Sequence, residues 1–159
     1  MGINFQRTKS TYRRIRGRFN TVDLTDSFEM LGNLSKYENK LKVFQTWRSS
    51  KFDRQHASVI LDLKNKNPSV PFFLFRDEEM KTFMHLNFSG NPILDIFTNC
   101  RYMASKADIW RLCVLYLNGG YYLDIDSTAK FDLQEKVNHK DSLISYSQEE
   151  IFEYTNIDL

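Results

Sequence analysis

The sequence lacks a long hydrophobic run: no stretch approaches the roughly 20 apolar residues that span a bilayer. The N-terminus also lacks the apolar core of a signal peptide. Two cysteines, Cys100 and Cys113, are too few for a disulfide framework in a chain of 159 residues. These absences favour a reducing, cytoplasmic location and predict no transmembrane segment.

The chain also lacks a large excess of charge, since its formal net charge is only +2. This balance gives no support to a nucleic-acid partner. Six basic residues nevertheless crowd the first eighteen positions with no acid among them: Arg7, Lys9, Arg13, Arg14, Arg16 and Arg18. No apolar stripe accompanies them, so they are interpreted as a solvated arm. Together with a weak helical pattern at 22–31, this predicts that residues 1–35 form a basic arm followed by a helix. The alternative is peripheral contact between this arm and an anionic membrane surface.

No internal repeat or low-complexity tract is present, and 42% of the residues are hydrophobic. The length suits one domain with a real core. Strand and helix patterns alternate: helical at 22–31, strand at 41–47, helix at 54–64, strand at 70–75, helix at 77–86 capped by Asp77, and helical turns at 93–97. This order predicts an α/β fold with a mostly parallel sheet flanked by helices.

The next segment predicts a helix with clear ends. Ser105, followed three residues later by Asp108, is typical of a helix N-terminus. Ile109, Leu112, Cys113 and Tyr116 recur at i, i+3, i+4 and i+7, which predicts a core-facing stripe. The glycine pair at 119–120 ends the helix, because glycine accepts the conformation of a C-cap.

Residues 121–126 (YYLDID) then predict a strand near the centre of the sheet. Alternation on that strand would place Asp124 and Asp126 on one face, roughly 7 Å apart. Such carboxylates repel each other unless a cation lies between them, and Mn²⁺ or Mg²⁺ is the natural choice. An isolated D-x-D is common, so the alternative is two solvated acids at a strand end. Asp108 and Arg111, at i and i+3, would lie on the same face of the helix. The alternative is that they form no more than an ordinary surface ion pair.

The whole string KADIWRLCVLYLNGGYYLDID resembles the glycosyltransferases with a DXD-containing sugar-binding region. This family includes clostridial glucosylating toxins, fungal Golgi mannosyltransferases and bacterial capsule enzymes. Its pattern is met at Ala107, Asp108, Arg111, Tyr116, Gly119, Gly120, Tyr122, Asp124 and Asp126. Residues 43–47 resemble the family's first strand, with Phe44 in place of a histidine, and Arg76 replaces a common tryptophan. The likeness covers about residues 41–133.

The resemblance implies a GT-A-like nucleotide-diphospho-sugar transferase fold and a retaining, metal-assisted hexosyl transfer. Trp47 would stack on the nucleotide base, with a core role as the alternative. Asp108 and Arg111 would hold the donor sugar, Asp124 the ribose and the metal's water shell, and Asp126 the Mn²⁺ or Mg²⁺ ion.

The donor would be a UDP-hexose, or else GDP-mannose, and the acceptor a carbohydrate or lipid-linked hydroxyl. Relatives continue for about a hundred more residues, within the length of one ordinary domain. Residues 36–159 are therefore expected to form a donor-binding domain whose C-terminal part is missing.

Three alternatives remain open. A phosphatase of the haloacid-dehalogenase type would use Asp124 as nucleophile and Asp126 as acid, in a D-x-D-x-T motif ending at Thr128. A calcium loop would use these acids with Glu135, although Ala129 stands where glycine is required. The third alternative is an inactive fragment that binds a nucleotide-sugar without transferring it.

Overall fold

A computed structural model describes residues 21–38, 40–128 and 132–134, so the basic residues 7–18 lie outside the described part. Contacts divide the chain into Met1–Thr128 and Ala129–Leu159, and every element named below belongs to the first unit. The described elements are β1 (Thr21–Asp23), β2 (Val43–Thr46), β3 (Lys51–Asp53), α1 (Arg54–Lys66), β4 (Phe72–Phe75), α2 (Asp77–Asn87), α3 (Pro92–Asn99), α4 (Met103–Asn118) and β5 (Tyr121–Tyr122). Two 3-10 helices, Thr25–Ser27 and Leu31–Tyr37, lie between β1 and β2.

Strand β2 is the middle of a three-stranded parallel sheet, with β4 on one side and β5 on the other. Val43 is in register with Phe72 of β4 and with Tyr121 of β5. This confirms the predicted mixed α/β fold with a parallel sheet. The predicted central position of the 121–126 strand is wrong within the described residues, because β5 is an edge strand there.

Strand β4 is apolar throughout and β2 begins with two apolar residues, because both faces of the sheet are covered. One cluster contains Phe44 and Phe75 together with Trp110 of α4. The other contains Leu74 with Ile60 of α1. All four residues of β4 are buried. Burying each of its three phenylalanines contributes about 1.5–3 kcal/mol, so the core holds the carboxyl ends of these strands firmly in place.

The segment before β2 differs from its prediction. Residues 22–31 are not a regular helix: Thr21–Asp23 pairs antiparallel with β3, and the turns that follow are of the 3-10 type. Neither β1 nor β3 has a local strand signal, since each is three residues long and depends on pairing with the other. Leu24 is buried in the cluster that contains Phe52 and Ile60. The domain boundary at residue 35 stays a prediction.

The helices predicted after β2 are present, but two of their starts are corrected. Asp77 does not cap α2; it is the first helical residue, and Glu79 accepts the backbone N–H of Arg76 at 2.7 Å. Helix α4 begins at Met103, two residues before Ser105, with no side-chain cap. At α1 the Asp53 carboxylate accepts the backbone N–H groups of residues 55 and 56, both at 3.0 Å.

Helix α4 is rotated relative to its predicted orientation. Its buried residues are Trp110, Cys113 and Val114, whereas Leu112 is 69% and Tyr116 84% exposed. Of the predicted stripe only Cys113 is fully buried. The indole of Trp110 lies 4.7 Å from the ring of Phe75. Because an indole removes more apolar surface from water than a leucine side chain, its burial fixes the orientation of the helix.

Candidate functional site

The D-x-D acids follow β5 rather than lying on it. The strand ends at Tyr122, and the amide of Ser127 donates to the carbonyl of Asp124 at 2.9 Å, which closes a turn. The prediction that a strand carries both acids is therefore wrong. Asp124 and Asp126 are nevertheless both exposed, while Ile125 between them is only 5% exposed. The turn thus presents two carboxylates to solvent by burying the residue that separates them.

The glycine pair sets the path of the chain into this turn. Gly119 and Gly120 have φ angles of 60° and 90°, which side chains rarely adopt. A Cβ atom on Gly120 would lie 2.6 Å from the carbonyl oxygen of Lys42. That oxygen accepts the amide of Tyr121 at 2.8 Å. The close approach is what lets β5 pair with β2, so Gly120 is required for more than helix termination.

Lys42 itself is 2% exposed, although its side chain carries an ammonium group. The Nζ atom donates to the carbonyls of Tyr37 at 2.8 Å and Lys40 at 3.2 Å. Burial lowers the pKa of Lys42. Lys42 therefore connects the preceding loop to the strand that supports β5.

Asp108 and Arg111 form an ion pair on α4, as their spacing predicted. The guanidinium carbon of Arg111 lies 4.6 Å from the centre of the Tyr122 ring, a cation–π distance. The Tyr122 hydroxyl donates to Oδ1 of Asp124 at 3.0 Å and lies 3.3 Å from the hydroxyl of Thr46. A continuous row of contacts thus connects the D-x-x-R motif of α4 to the D-x-D turn.

Burial raises the pKa of Tyr122, and the nearby Asp124 carboxylate acts in the same direction. Its hydroxyl is therefore protonated at neutral pH and can donate to the carboxylate. This hydrogen bond engages one of the two carboxylate oxygens of Asp124, Oδ1.

Sequence reasoning missed Gln45, which is fully buried on β2. Its Nε2 atom donates to the main-chain carbonyl of Asp124 at 3.3 Å. Its Oε1 atom, the indole nitrogen of Trp110 and Nε of Arg111 are buried without a hydrogen-bond partner among the described residues. An uncharged polar residue directly after the apolar pair Val43 and Phe44 was the available signal.

Trp47 directly follows β2 and is half-buried. Its ring stacks on Phe52 with centroids 6.1 Å apart and lies 5.2 Å from the ring of His56. The guanidinium of Arg48 lies 5.8 Å from its centre. These contacts agree with the core alternative, and they do not test the predicted stacking on a nucleotide base.

The donor set at the turn fits a hard divalent cation that is shared with a ligand. Across residues 21–38, 40–128 and 132–134, no group of three or more His, Cys, Asp or Glu side chains is placed to hold a metal. Asp124 and Asp126 supply carboxylate oxygens, and neither forms an ion pair with a lysine or arginine in these ranges. A cation held here would need further oxygens from water or from a bound phosphate, which is how Mg²⁺ is usually coordinated.

The sequence matches the model of the glycosyltransferase sugar-binding region containing a DXD motif over residues 4–148. The chain belongs to this family. The resemblance inferred from residues 106–126 is thereby confirmed, and the matched region extends well upstream of it. The phosphatase alternative is left without support, since the motif that suggested it, Asp124 to Thr128, lies inside the matched region. Glu135 and Ala129 of the calcium-loop alternative lie outside the described residues.

Three similar proteins are mannosyltransferases of fungi. Inositol phosphoceramide mannosyltransferase 1 of Schizosaccharomyces pombe is 25% identical over 111 residues, which is 68% of this chain and 34% of the relative. Inositol phosphoceramide mannosyltransferase 3 of the same yeast is 27% identical over 105 residues, 66% of this chain and 29% of the relative. The initiation-specific alpha-1,6-mannosyltransferase of Candida albicans is 21% identical over 155 residues, 91% of this chain and 38% of the relative.

The chain thus spans about a third of the length of these relatives. No solved structure matches it. In the described part of the chain, no helix is both long and apolar enough to cross a membrane.

Proposed function

We propose that this chain is the donor-binding part of a metal-assisted, retaining hexosyltransferase with a GT-A-like fold, centred on residues 36–159. It binds a nucleotide-diphospho-sugar at the carboxyl ends of β2 and β5. Ligands of open parallel sheets bind at this edge. The chain belongs to a family of glycosyltransferases. Its GT-A-like fold, its donor and the stereochemical course of its reaction are parts of this proposal.

One observation carries the proposal: the row of contacts from Asp108 through Arg111 and Tyr122 to Asp124. The two motifs are separated by more than ten residues in the sequence and lie on different elements. An isolated surface ion pair or a pair of solvated acids would need no such connection. The row supports a single site in which a sugar-binding end and a phosphate-binding end have a fixed separation.

Each residue of this row is assigned one task. Asp108 and Arg111 hold hydroxyl groups of the donor sugar, because a carboxylate accepts and a guanidinium donates. Asp124 lies beside the ribose and the water shell of the cation, and Asp126 binds the cation directly. Trp47 stacks on the base, at the end of the central strand.

A bound Mn²⁺ or Mg²⁺ would supply electrostatic stabilisation to the diphosphate as it leaves. The exposed carboxylate of Asp126 and Oδ2 of Asp124 would hold it. Tyr122 keeps the second oxygen of Asp124 occupied, which fixes the rotamer of that carboxylate. The side chains therefore orient the site before any donor arrives.

The names of the relatives refine the choice of donor. All three curated relatives quoted are mannosyltransferases, which favours mannose as the hexose and moves GDP-mannose ahead of the UDP-hexoses. Two of the names specify inositol phosphoceramide, which supports a lipid-linked acceptor over a free glycan. A lipid-linked acceptor would place the reaction at a membrane surface, and the six basic residues between positions 7 and 18 would supply positive charge for contact with anionic lipid.

Calorimetric titration of wild type, Asp126→Asn and Arg111→Ala tests these assignments. Each protein is titrated with GDP and GDP-mannose, and with UDP and UDP-glucose, with and without Mn²⁺. Asp126→Asn should lose the Mn²⁺-dependent part of nucleotide affinity, because one anionic ligand is removed from a hard-cation site. Arg111→Ala should keep metal dependence and lose more affinity for the sugar-nucleotide than for the free diphosphate.

Asp62→Asn is the matched control, because it removes an exposed carboxylate on α1 that pairs only with Lys66 in the described structure. It should bind like wild type. An Asp126→Asn protein that binds nucleotide with Mn²⁺ as tightly as wild type would locate the metal elsewhere. Equal losses for both ligands in Arg111→Ala would remove that residue from the sugar site.

A further inference from the structure

Gln45 occupies a position where a polar side chain is unfavourable. It lies on the central strand between Phe44 and Thr46 and is 0% exposed. One end of its amide donates to Asp124, and the other end, Oε1, has no hydrogen-bond partner among the described residues. A buried polar atom without a partner destabilises the fold, so an apolar side chain of the same volume would suit the core better. The stability of the core therefore does not explain why an amide side chain occupies this position.

The contact made by Gln45 supplies that reason. Its partner is a main-chain oxygen, so only a donor group is compatible with it, and the amide must direct Nε2 toward Asp124. The same oxygen also accepts the amide of Ser127 at 2.9 Å. A carbonyl has two lone pairs, and here one binds the turn to itself while the other binds the turn to β2.

The edge strand alone offers little support to this turn. Strand β5 contains two residues, and its ladder to β2 ends at the bond from Leu123 to the Phe44 carbonyl, 3.1 Å long. Beyond this bond, Ile125 is buried, but burial is non-directional and does not fix the rotation of a turn. Gln45 provides a directed contact at Asp124, the first residue beyond the last bond of the ladder.

We propose that Gln45 is a positioning residue, which orients the D-x-D turn through the Asp124 carbonyl and thereby fixes the directions of the Asp124 and Asp126 carboxylates. Its effect on donor binding rests on the function proposed above; its effect on the turn does not. Gln45 itself touches neither donor nor metal.

The turn is tested in the full chain without metal or nucleotide, by native-state hydrogen exchange of the Ser127 amide. Gln45→Met keeps the side-chain volume and removes the donor. It should speed exchange at Ser127 about fivefold, the factor that corresponds to one ordinary hydrogen bond. Its global stability should equal or exceed that of wild type, because the unpaired Oε1 is removed as well.

Leu63→Ala is the control, since it opens the core at a residue that is 1% exposed on α1. It should lower global stability while leaving Ser127 exchange unchanged at low denaturant. If Gln45→Met does not fold, Gln45→Asn keeps an amide but withdraws the donor by one methylene, and the same acceleration is expected. Unchanged exchange at Ser127 in either folded Gln45 variant would overturn the proposal, as would equal acceleration in Leu63→Ala.

Calorimetry then extends the test to function. Gln45→Met should weaken Mn²⁺-dependent GDP binding several-fold at unchanged or higher stability, a combination that a purely structural role would not produce. If Gln45→Met exchanges faster at Ser127 but binds GDP with wild-type affinity, the proposed effect of the turn on donor binding is overturned. If wild type binds no nucleotide with Mn²⁺, the proposed function fails, whereas the exchange result still decides whether Gln45 holds the turn.

Discussion

Replacing Gly120 by alanine should destabilise the protein far more than the same change at its neighbour Gly119. Both glycines have positive φ angles, and Gly119 has φ 60° and ψ −162°, a region that is essentially restricted to glycine. Strain of this kind costs about 1–3 kcal/mol. Alanine also restricts the unfolded chain, which offsets about 0.4–1 kcal/mol. Gly119→Ala, whose Cβ would meet nothing within 4 Å, should therefore lose about 1–2 kcal/mol.

Gly120→Ala adds a steric cost to the same strain. Its Cβ would lie 2.6 Å from the Lys42 carbonyl oxygen and 2.9 Å from Lys42 Cγ. The oxygen cannot retreat without lengthening its 2.8 Å hydrogen bond to the Tyr121 amide. Overpacking costs about 1–3 kcal/mol, and the weakened hydrogen bond about 1 kcal/mol more. Gly120→Ala should thus exceed Gly119→Ala by about 2–4 kcal/mol.

Urea unfolding of the two variants measures the difference directly, provided that the m-values stay equal to the wild-type value. Amide exchange at Tyr121 gives a local reading, which should accelerate in Gly120→Ala beyond the change in global stability. If the two variants differ by less than about 0.5 kcal/mol, which is the usual range of neutral surface changes, the close approach of Gly120 to Lys42 does not constrain the fold.

Two further predictions concern the helices. Asp53→Ala should cost about 1 kcal/mol by removing the N-cap of α1. Hydrogen bonds from His56, and to a lesser extent from the backbone N–H of Gln55, lower the pKa of Asp53. This stabilisation is therefore present above the unfolded pKa of about 4 and is lost as pH falls through the lower folded value. Unfolding curves of wild type and variant should therefore converge in acid, and a constant difference down to about pH 2 would contradict the assignment. Trp110→Ala should lower the free energy of unfolding by about 3–5 kcal/mol and Leu112→Ala by less than about 0.5 kcal/mol, because of the two only Trp110 is buried. If chemical unfolding shows similar losses for both variants, α4 has the orientation that periodicity predicted.

The sequence predicted those elements whose signals are local and continuous. The apolar run at 72–75, the helix beginning at Arg54 and the helix ending at Gly119 all lie where composition and periodicity place them. The short strands β1 and β3 were missed because each exists through pairing with the other, and a three-residue strand carries no periodicity of its own. Tertiary pairing thus overrode the weak helical pattern at 22–31.

At the site, residue types were predicted better than their geometry. Asp108 and Arg111 pair as their spacing indicates, and both acids of the D-x-D motif are exposed. The acids nevertheless follow a strand that ends at Tyr122. The alternation of polar and apolar residues that predicted a longer strand is equally compatible with a turn that buries only Ile125. The orientation of α4 was predicted wrongly because Ile109, Leu112 and Tyr116 offer a plausible apolar stripe, and only the presence of Phe75 opposite Trp110 decides between the two faces.

The parallel pairing of β2 with β5 has a consequence for the order of folding. It joins Val43 and Phe44 to Tyr121 and Tyr122, residues near opposite ends of the described chain. Closing so long a loop is entropically unfavourable until the intervening helices have compacted it, and contacts of high sequence separation slow folding. The ladder between β2 and β4 spans a much shorter segment, so we expect it to form first, during synthesis as well as in refolding. The carboxylates that follow β5 would then be the last part of the described fold to reach their places.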